Sequence, residues 1–386
     1  MARKNIAVLD FGSSHISVMM GSLSINDTLN LKGYGEVSYA GFMDGEFLEP
    51  EALKEDVASA IAMAENNAQA KITHLYVGVP AEFSEVVVKN AEMNFYTPHK
   101  ITDEDVVDLY NIHTSFGNDD FSVVSRSPIY FTLDDGERII KATGKTTEKF
   151  SGLISYTLCD NKFLESVQQA LAPLNIQYIE YFSEQLSESL FLIEPEERDA
   201  CAVLIDCGFL STSVSTIMGD GLLDLKSFTL GSGHMVGDIC ERFGVGPEQA
   251  EEIKRGISLL EENDDEVFEV TEADGSVKEI AVSDVCEIVK YRVRQIGKTI
   301  LKCFDASDIE LPEQSKIYIT GGGIDYIEGA IPLLSETIGR EVVELVPPVK
   351  GLDKPHLSST VSLLDMALKK NKQSIGLFFV KLFKRK

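Results

Sequence analysis

The chain has 386 residues, a formal net charge of −27 and a hydrophobic content of 44%. This length exceeds that of one typical hydrophobic core, so we expect two or more domains. So acidic a body should repel nucleic acid and anionic lipid. Six cysteines form no CxxC pair, no signal peptide opens the chain, and no apolar run approaches the roughly 20 residues that span a bilayer. The composition therefore predicts a reduced, cytosolic protein.

The first half of the chain begins with a strand meander. Apolar runs and turn residues predict strands at 5–9, 15–21, 29–39 and 74–79 and helices at 51–66, 163–172 and 184–194. The region 82–160 contains strand-like apolar runs and a helix-start pattern, which predict a small α+β insertion. Within it, Thr102 precedes acidic and apolar residues in a pattern typical of a capped helix start.

The second half repeats the beginning of the first. Four residues recur at a constant offset of 196, namely Asp10, Gly12, Ser17 and Val18 at Asp206, Gly208, Ser213 and Val214. Two similar strand–turn–strand units predict a duplicated domain. Further patterns predict helices at 234–243, 247–257, 284–303, 324–337 and 358–370, and strands at 316–320 and 341–346.

Two polar turns are candidate phosphate loops. The first contains Asp10, Gly12, Ser13, Ser14 and His15, and the second contains Asp206, Gly208, Ser211 and Thr212. Glycine lets the backbone approach an anion, and backbone and hydroxyl groups can donate to phosphate. Facing each other, the two hairpins could clamp a triphosphate, with Asp10 holding Mg²⁺ through water. The alternative for each loop is an ordinary polar β-turn.

Three further segments are candidates for binding the rest of a nucleotide. They are Gly231-Ser232-Gly233, the pair Glu251 and Lys254, and Gly321-Gly322-Gly323 after an apolar strand. Residues three apart share a helix face, so Glu251 and Lys254 could bracket a ribose and base. The alternative is a solvated ion pair. Three successive glycines predict close approach by a ligand or another backbone, with an ordinary strand–helix turn as the alternative.

The order of these segments resembles that of the actin, Hsp70 and sugar-kinase superfamily, and within it the FtsA family. The resemblance implies an α/β, actin-like fold of two duplicated RNase H-like domains around a nucleotide cleft. It implies ATP and Mg²⁺ as ligands, with Asp10 and Asp206 near the metal. It assigns no catalytic residue beyond Glu184 as a candidate, and at most weak ATPase activity. Phe209 and Leu210 stand where the family has glycines, so we expect less room for phosphates there.

The resemblance also implies a division into subdomains. The implied boundaries are 1–81 with 161–200 (1A), 82–160 (the inserted 1C), 201–235 with 315–365 (2A), 236–314 (2B) and 366–386 (linker and amphipathic helix).

The C-terminal residues predict a membrane-binding helix. Five apolar residues fall at i, i+3, i+4, i+7 and i+8 and so share one helix face, namely Ile375, Phe378, Phe379, Leu382 and Phe383. Three basic residues lie largely on the opposite side, namely Lys381, Lys384 and Arg385. Such a helix suits the interface of an anionic membrane. The alternative is a terminal helix docked on the body, which a brief linker at 371–374 disfavours.

The functional expectation is a cell-division protein on the cytoplasmic side of the membrane at the division site. By resemblance it polymerises, binds other division proteins and tethers filaments of FtsZ, whose C-terminal peptide Arg292 and Lys298 would receive. Two alternatives stay open. One is a pilus-assembly scaffold similar to PilM, and the other is a small-molecule kinase of the same superfamily, for which Asp206 is the evident base.

Overall fold

The computed structural model describes residues 6–24, 28–116, 119–260, 266–271 and 275–383, and for 373–383 it describes the backbone alone. The strands are β1 (Ile6–Phe11), β2 (His15–Leu23), β3 (Leu29–Ser38), β4 (Phe42–Met43), β5 (Glu46–Phe47), β6 (His74–Val79), β7 (Ser84–Lys100), β8 (Phe121–Leu133), β9 (Arg138–Ile139), β10 (Thr146–Asp160), β11 (Tyr178–Ser183), β12 (Ala202–Cys207), β13 (Thr212–Met218), β14 (Gly221–Phe228), β15 (Val267–Thr271), β16 (Val277–Ala281), β17 (Lys316–Thr320) and β18 (Val342–Glu344). The α-helices are α1 (Leu53–Ala68), α2 (Asp103–Tyr110), α3 (Asn161–Leu171), α4 (Glu184–Leu192), α5 (Pro195–Asp199), α6 (Ser232–Phe243), α7 (Pro247–Arg255), α8 (Val282–Asp305), α9 (Ala330–Ile338) and α10 (Ser358–Phe383).

Two five-stranded sheets share one topology. Their strand orders are β3-β2-β1-β6-β11 and β14-β13-β12-β17-β18. In each sheet the first three strands form an antiparallel meander, and the last two run parallel to the central strand. Asp10 pairs with Ser17 and Asp206 pairs with Ser213, so the sequence repeat occupies the same register in both sheets. The predicted duplication is confirmed.

Apolar runs place β1 and β12 at the centre of their sheets. Their sequences, Ile6–Phe11 and Ala202–Cys207, are apolar except for one aspartate each, as expected for strands covered on both faces. The first sheet packs against α1 and α3 on one face, and the second against α6, α8 and α9. Helices α4 and α10 pack against each other between the two sheets, α10 on the first and α4 on the second.

The insertion is a four-stranded sheet of order β7-β10-β8-β9 with α2 on one face. Its helix starts as the sequence predicted. The Thr102 hydroxyl accepts the Asp105 N–H at 3.2 Å, and the Asp105 carboxylate accepts the Thr102 N–H at 2.7 Å. The sheet also contacts the second half, because the Asp220 N–H donates to the Pro128 carbonyl at 3.1 Å.

The predicted subdomain boundaries stay predictions, but the C-terminal segment differs from its prediction. Helix α10 continues through 371–374, where a linker was expected, and ends at Phe383. Lys370 pairs with Glu180, and Asn371 donates to the Tyr76 hydroxyl, so this part of the helix is fastened to the body. Within the described residues, no helix is both long and apolar enough to cross a membrane. The side chains assigned to membrane binding, from Ile375 to Arg385, lie outside the described residues.

Candidate functional site

A cleft of about 980 Å³ lies between the two sheets. Most of the sequence-predicted site residues line it, namely Asp10, Gly12, Ser13, Ser14, His15, Glu184, Asp206, Gly208, Ser211, Thr212, Ser232, Glu251, Gly321 and Gly322. Gly231, Gly233, Lys254 and Gly323 lie behind this lining. The structure therefore brings the predicted loops together, and their roles in binding remain predictions.

Asp10 is held by the start of α10. It is 6% exposed and accepts hydrogen bonds from the Ser359 hydroxyl at 2.9 Å and the Thr360 hydroxyl at 2.5 Å. Burial raises the pKa of Asp10, and the two hydroxyl donors oppose that rise. Sequence reasoning missed both donors, because they come from a helix some 350 residues further along the chain.

Helix α4 contributes two buried carboxylates to the base of the cleft. Glu184 and Glu188 lie one turn apart, 5% and 1% exposed, near Asp10 and Asp206. Among the described residues, Glu184 Oε1 and Glu188 Oε2 have no hydrogen-bond partner. Burial, followed by the charges of neighbouring carboxylates, raises the pKa of both glutamates well above the usual value and that of Asp206 to about 6. These four carboxylates form the acidic base of the cleft.

Glu188 was not predicted from the sequence. Its i,i+4 spacing from Glu184 on a helix was the signal that could have found it. Within the described residues, no group of three or more His, Cys, Asp or Glu side chains is placed to hold one metal ion. The Mg²⁺ role of Asp10 and Asp206, which was predicted to act through water, therefore stays a prediction.

The second hairpin is docked onto the start of α6. The Ser232 N–H donates to the Gly208 carbonyl at 3.1 Å, and the Gly233 N–H donates to the Phe209 carbonyl at 2.7 Å. A Cβ on Gly231 would lie 2.5 Å from both carbonyl oxygens, so glycine is needed for this contact. At Gly231 the close approach is therefore made by another segment of backbone.

The tips of the two hairpins also touch. The Leu210 N–H donates to the Ser13 hydroxyl at 2.9 Å, which joins the two halves of the protein across the cleft. Gly321, at φ +92°, packs against the end of β12, where a Cβ would lie 2.3 Å from Asp206 Oδ1. Gly323 lies against the Cys207 carbonyl in the same way. Gly321 and Gly323 thus allow the turn after β17 to pack on the end of β12, whereas a Cβ on Gly322 would lie 2.7 Å from the His356 Cβ.

Lys254 and Glu251 are not the solvated ion pair that was the alternative interpretation. The Lys254 side chain is 1% exposed, and its ammonium lies 2.7 Å from Glu251 Oε2. It is flanked by the rings of Phe209 and Tyr326, with centroids at 5.8 and 5.3 Å. Burial lowers the pKa of Lys254, and the Glu251 carboxylate opposes this. Phe209, Glu251 and Tyr326 form one wall of the cleft, with Lys254 buried behind it.

Arg292 and Lys298 lie outside the cleft on α8. The Arg292 guanidinium forms a bidentate pair with Asp238, with N···O distances of 2.5 and 2.6 Å, and also donates to Gln295. Lys298 is exposed on the same helix. Arg292 is therefore already bound to a carboxylate within the chain, and its role in partner binding stays a prediction.

Comparison with known proteins gives relatives along nearly the whole chain. The chain is 26% identical over 377 residues to the cell division protein FtsA of Streptococcus pneumoniae, covering 95% of this chain and 81% of that protein. It is 21% identical to the FtsA of Escherichia coli, covering 94% and 90%. No family model matches the chain.

Solved structures share the fold at lower identity. A chain of the PilM–PilN type IV pilus biogenesis complex aligns with a TM-score of 0.61 and 16% identity, covering 94% of this chain and 98% of that one. MreB5 of Spiroplasma citri bound to AMPPNP aligns with a TM-score of 0.58 and 12% identity, covering 97% and 99%. These likenesses show that the fold is actin-like. Along more than nine tenths of its length the chain is therefore similar to proteins named cell division protein FtsA, and its fold is actin-like.

Proposed function

We propose that this chain is an actin-like cell-division protein that attaches FtsZ filaments to the cytoplasmic face of the membrane. The observation that carries the proposal is its relatedness, over 93–95% of its length, to proteins named cell division protein FtsA from several bacteria. The division-site location, self-assembly and binding of other division proteins come with this relationship. The likeness to PilM, at 16% identity, bears on the fold and favours no second function.

Membrane attachment is proposed for the C-terminal segment. Its sequence combines one apolar face with Lys381, Lys384 and Arg385, in a chain whose net charge is otherwise strongly negative. Each basic residue near an anionic leaflet contributes about 1 kcal/mol, and burial of the phenylalanines adds to this. Because α10 is fastened to the body up to Asn371, the attachment would hold the body close to the lipid.

The cleft is proposed to bind an adenine nucleotide. The bound nucleotide would shift the two halves of the protein toward the arrangement that binds the nucleotide more tightly. Its volume suits a nucleotide. The wall formed by Glu251 and Tyr326, with Lys254 buried behind it, offers a carboxylate and an aromatic ring to an adenosine. The predicted ATP and Mg²⁺ belong to this proposal, and no catalytic role is assigned to Glu184.

Vesicle sedimentation tests the attachment. The full chain and a truncation ending at Lys372, which keeps the Lys370 and Asn371 contacts, are mixed with vesicles containing phosphatidylglycerol, with and without FtsZ. We expect the full chain to sediment and to carry FtsZ with it, and the truncation to stay in the supernatant. Phe378→Ala with Phe383→Ala should lose binding, whereas the matched change Phe304→Ala, on α8, should keep it. Sedimentation of the truncated chain would refute the anchor.

The FtsZ contact has its own test on the same vesicles. Lys298→Glu reverses an exposed charge on α8, whereas Lys316→Glu does the same at a surface site away from that helix. We expect Lys298→Glu alone to reduce recruitment of FtsZ, with membrane binding unchanged. Equal recruitment by both variants would contradict a docking site on α8.

A further inference from the structure

The two ends of the cleft differ in what they offer a nucleotide. Among the described residues that line the cleft, nine are carboxylates, whereas the permanent cations are Arg255 and Lys354. Arg255 is already paired with Glu251 at 2.6 Å, and Lys354 is exposed at the rim. The lining is therefore strongly negative, which opposes the entry of any polyanion.

The negative charge is concentrated where the hairpins meet. Asp10 and Asp206 end the central strands there, and Glu184 and Glu188 face them from α4. Two of their oxygens lack a partner among the described residues. The raised pKa values of all four groups indicate that this end already resists negative charge. A triphosphate placed between the hairpins would add up to four further charges beside them.

Three backbone donors that could hold phosphate at this end are already used. Backbone N–H groups at a helix start commonly bind anions, but those of Ser232 and Gly233 donate to carbonyls of the second hairpin. The Leu210 N–H donates to Ser13. The Phe209 ring lies against Gly233, where a Cβ would be 2.7 Å from it, and so covers the start of α6. The hairpins are bonded to each other and to α6 instead of presenting these donors to a ligand.

The end of the cleft around Tyr326 is suited to a nucleoside. Tyr326 has an aromatic face beside Arg255, whose guanidinium carbon lies 4.2 Å from the ring centroid. The Tyr326 hydroxyl is buried beside the Ser232 side chain. The Glu251 carboxylate provides a polar group nearby. This end thus fits an adenosine, whereas the polyphosphate end does not fit ATP.

We infer that the cleft recognises adenine nucleotides by the adenosine end and gains no affinity from phosphates beyond the first. The ligand class is an adenine nucleoside or its monophosphate, with ATP binding no more tightly than AMP. This inference rests on the nucleotide cleft of the proposed function and specifies which ligand that cleft prefers. Asp206 is then a specificity determinant that weakens ATP binding.

Calorimetric titration of the full-length chain with adenosine, AMP, ADP and ATP tests the inference, each in EDTA and in Mg²⁺. We expect the Kd of ATP to be equal to or larger than that of AMP in both buffers. Asp206→Asn should tighten ATP binding in EDTA by about tenfold, because it removes a charge close to the phosphates, a larger change than it makes to adenosine binding. Asp308→Asn, which removes an exposed charge far along the chain, is the matched control and should change neither.

The outcomes separate the inference from the proposal beneath it. If ATP binds more than tenfold tighter than AMP, or Asp206→Asn weakens ATP binding, the inference is wrong and the nucleotide cleft stands. If none of the four compounds binds at millimolar concentration, the nucleotide part of the proposed function fails and the inference fails with it. The vesicle and FtsZ experiments do not depend on either result.

Discussion

Replacing Asp206 by asparagine should stabilise the folded protein at neutral pH. Asp206 ends β12 at the base of the cleft, where burial and the charge of Asp10 raise its pKa from 3.8 to about 6. One pKa unit corresponds to about 1.4 kcal/mol, so the ionised carboxylate destabilises the fold by up to about 3 kcal/mol. This figure is an upper limit, because the side chain is partly accessible from the cleft and solvent screens its charge.

The pH dependence follows from the direction of the change. The folded state holds the proton on Asp206 more tightly than the unfolded state, so between pH 4 and 6 it binds more protons. The stability contributed by protonated Asp206 is fully present below the unfolded pKa and is lost as the pH rises through about 6. The asparagine variant lacks this loss. We therefore expect the difference in free energy of unfolding between variant and wild type to grow across this range.

Urea unfolding followed by circular dichroism at pH 4, 5, 6 and 7.5 measures this difference. Asp308→Asn is the control for the general benefit of removing one negative charge from so acidic a chain, and it should change stability by less than about 1 kcal/mol. The reasoning is refuted if Asp206→Asn destabilises the protein at pH 7.5, or if its effect is the same at all four pH values.

Two further changes test the packing around the cleft. Gly231→Ala would bring a Cβ to 2.5 Å from the carbonyl oxygens of Gly208 and Phe209, so it should lower the free energy of unfolding in urea by about 1–3 kcal/mol. At Gly237, within α6, a Cβ would meet nothing within 4 Å, so Gly237→Ala should raise that free energy by up to about 1 kcal/mol. A similar loss in both variants would contradict the docking of the second hairpin on α6. Arg198→Met removes buried hydrogen bonds to the Ile193 and Gly219 carbonyls and a 2.8 Å pair with Asp220, so it should cost about 2–4 kcal/mol and speed hydrogen exchange in β8. Lys316→Met, which breaks a surface pair with Glu197, should cost less than about 1 kcal/mol, and equal costs would show that the Arg198 contacts contribute little.

Local sequence features predicted the frame of the site. The constant offset of 196 predicted the duplicated sheet. Two units of one repeat keep equivalent residues at equivalent strand positions, and Asp10 and Asp206 indeed pair with Ser17 and Ser213. The glycines at 321–323 correctly indicated close backbone approach, and Thr102 correctly marked the start of α2. Each of these signals lies within a few residues of what it predicts.

The contents of the site depended on packing between distant segments. The donors to Asp10 come from α10, and the Ser13 hydroxyl is bound by Leu210 of the other half. No spacing rule connects residues that far apart. Lys254 looked like a surface residue at i,i+3 from Glu251, but the rings of Phe209 and Tyr326 bury it. Whether a charged side chain is solvated is decided by which other elements cover it, which the local pattern does not contain.

Helix α10 shows how this affects the study of function. The sequence separated a body helix from a C-terminal tail by a linker, which would let the tail be removed without disturbing the cleft. The structure has one helix that begins with the donors to Asp10 and continues past Asn371. A truncation before Lys370 would break the pair with Glu180 and loosen the helix that holds Asp10. Loss of membrane binding in such a truncation would therefore have two explanations, and a cut after Lys372 leaves only one.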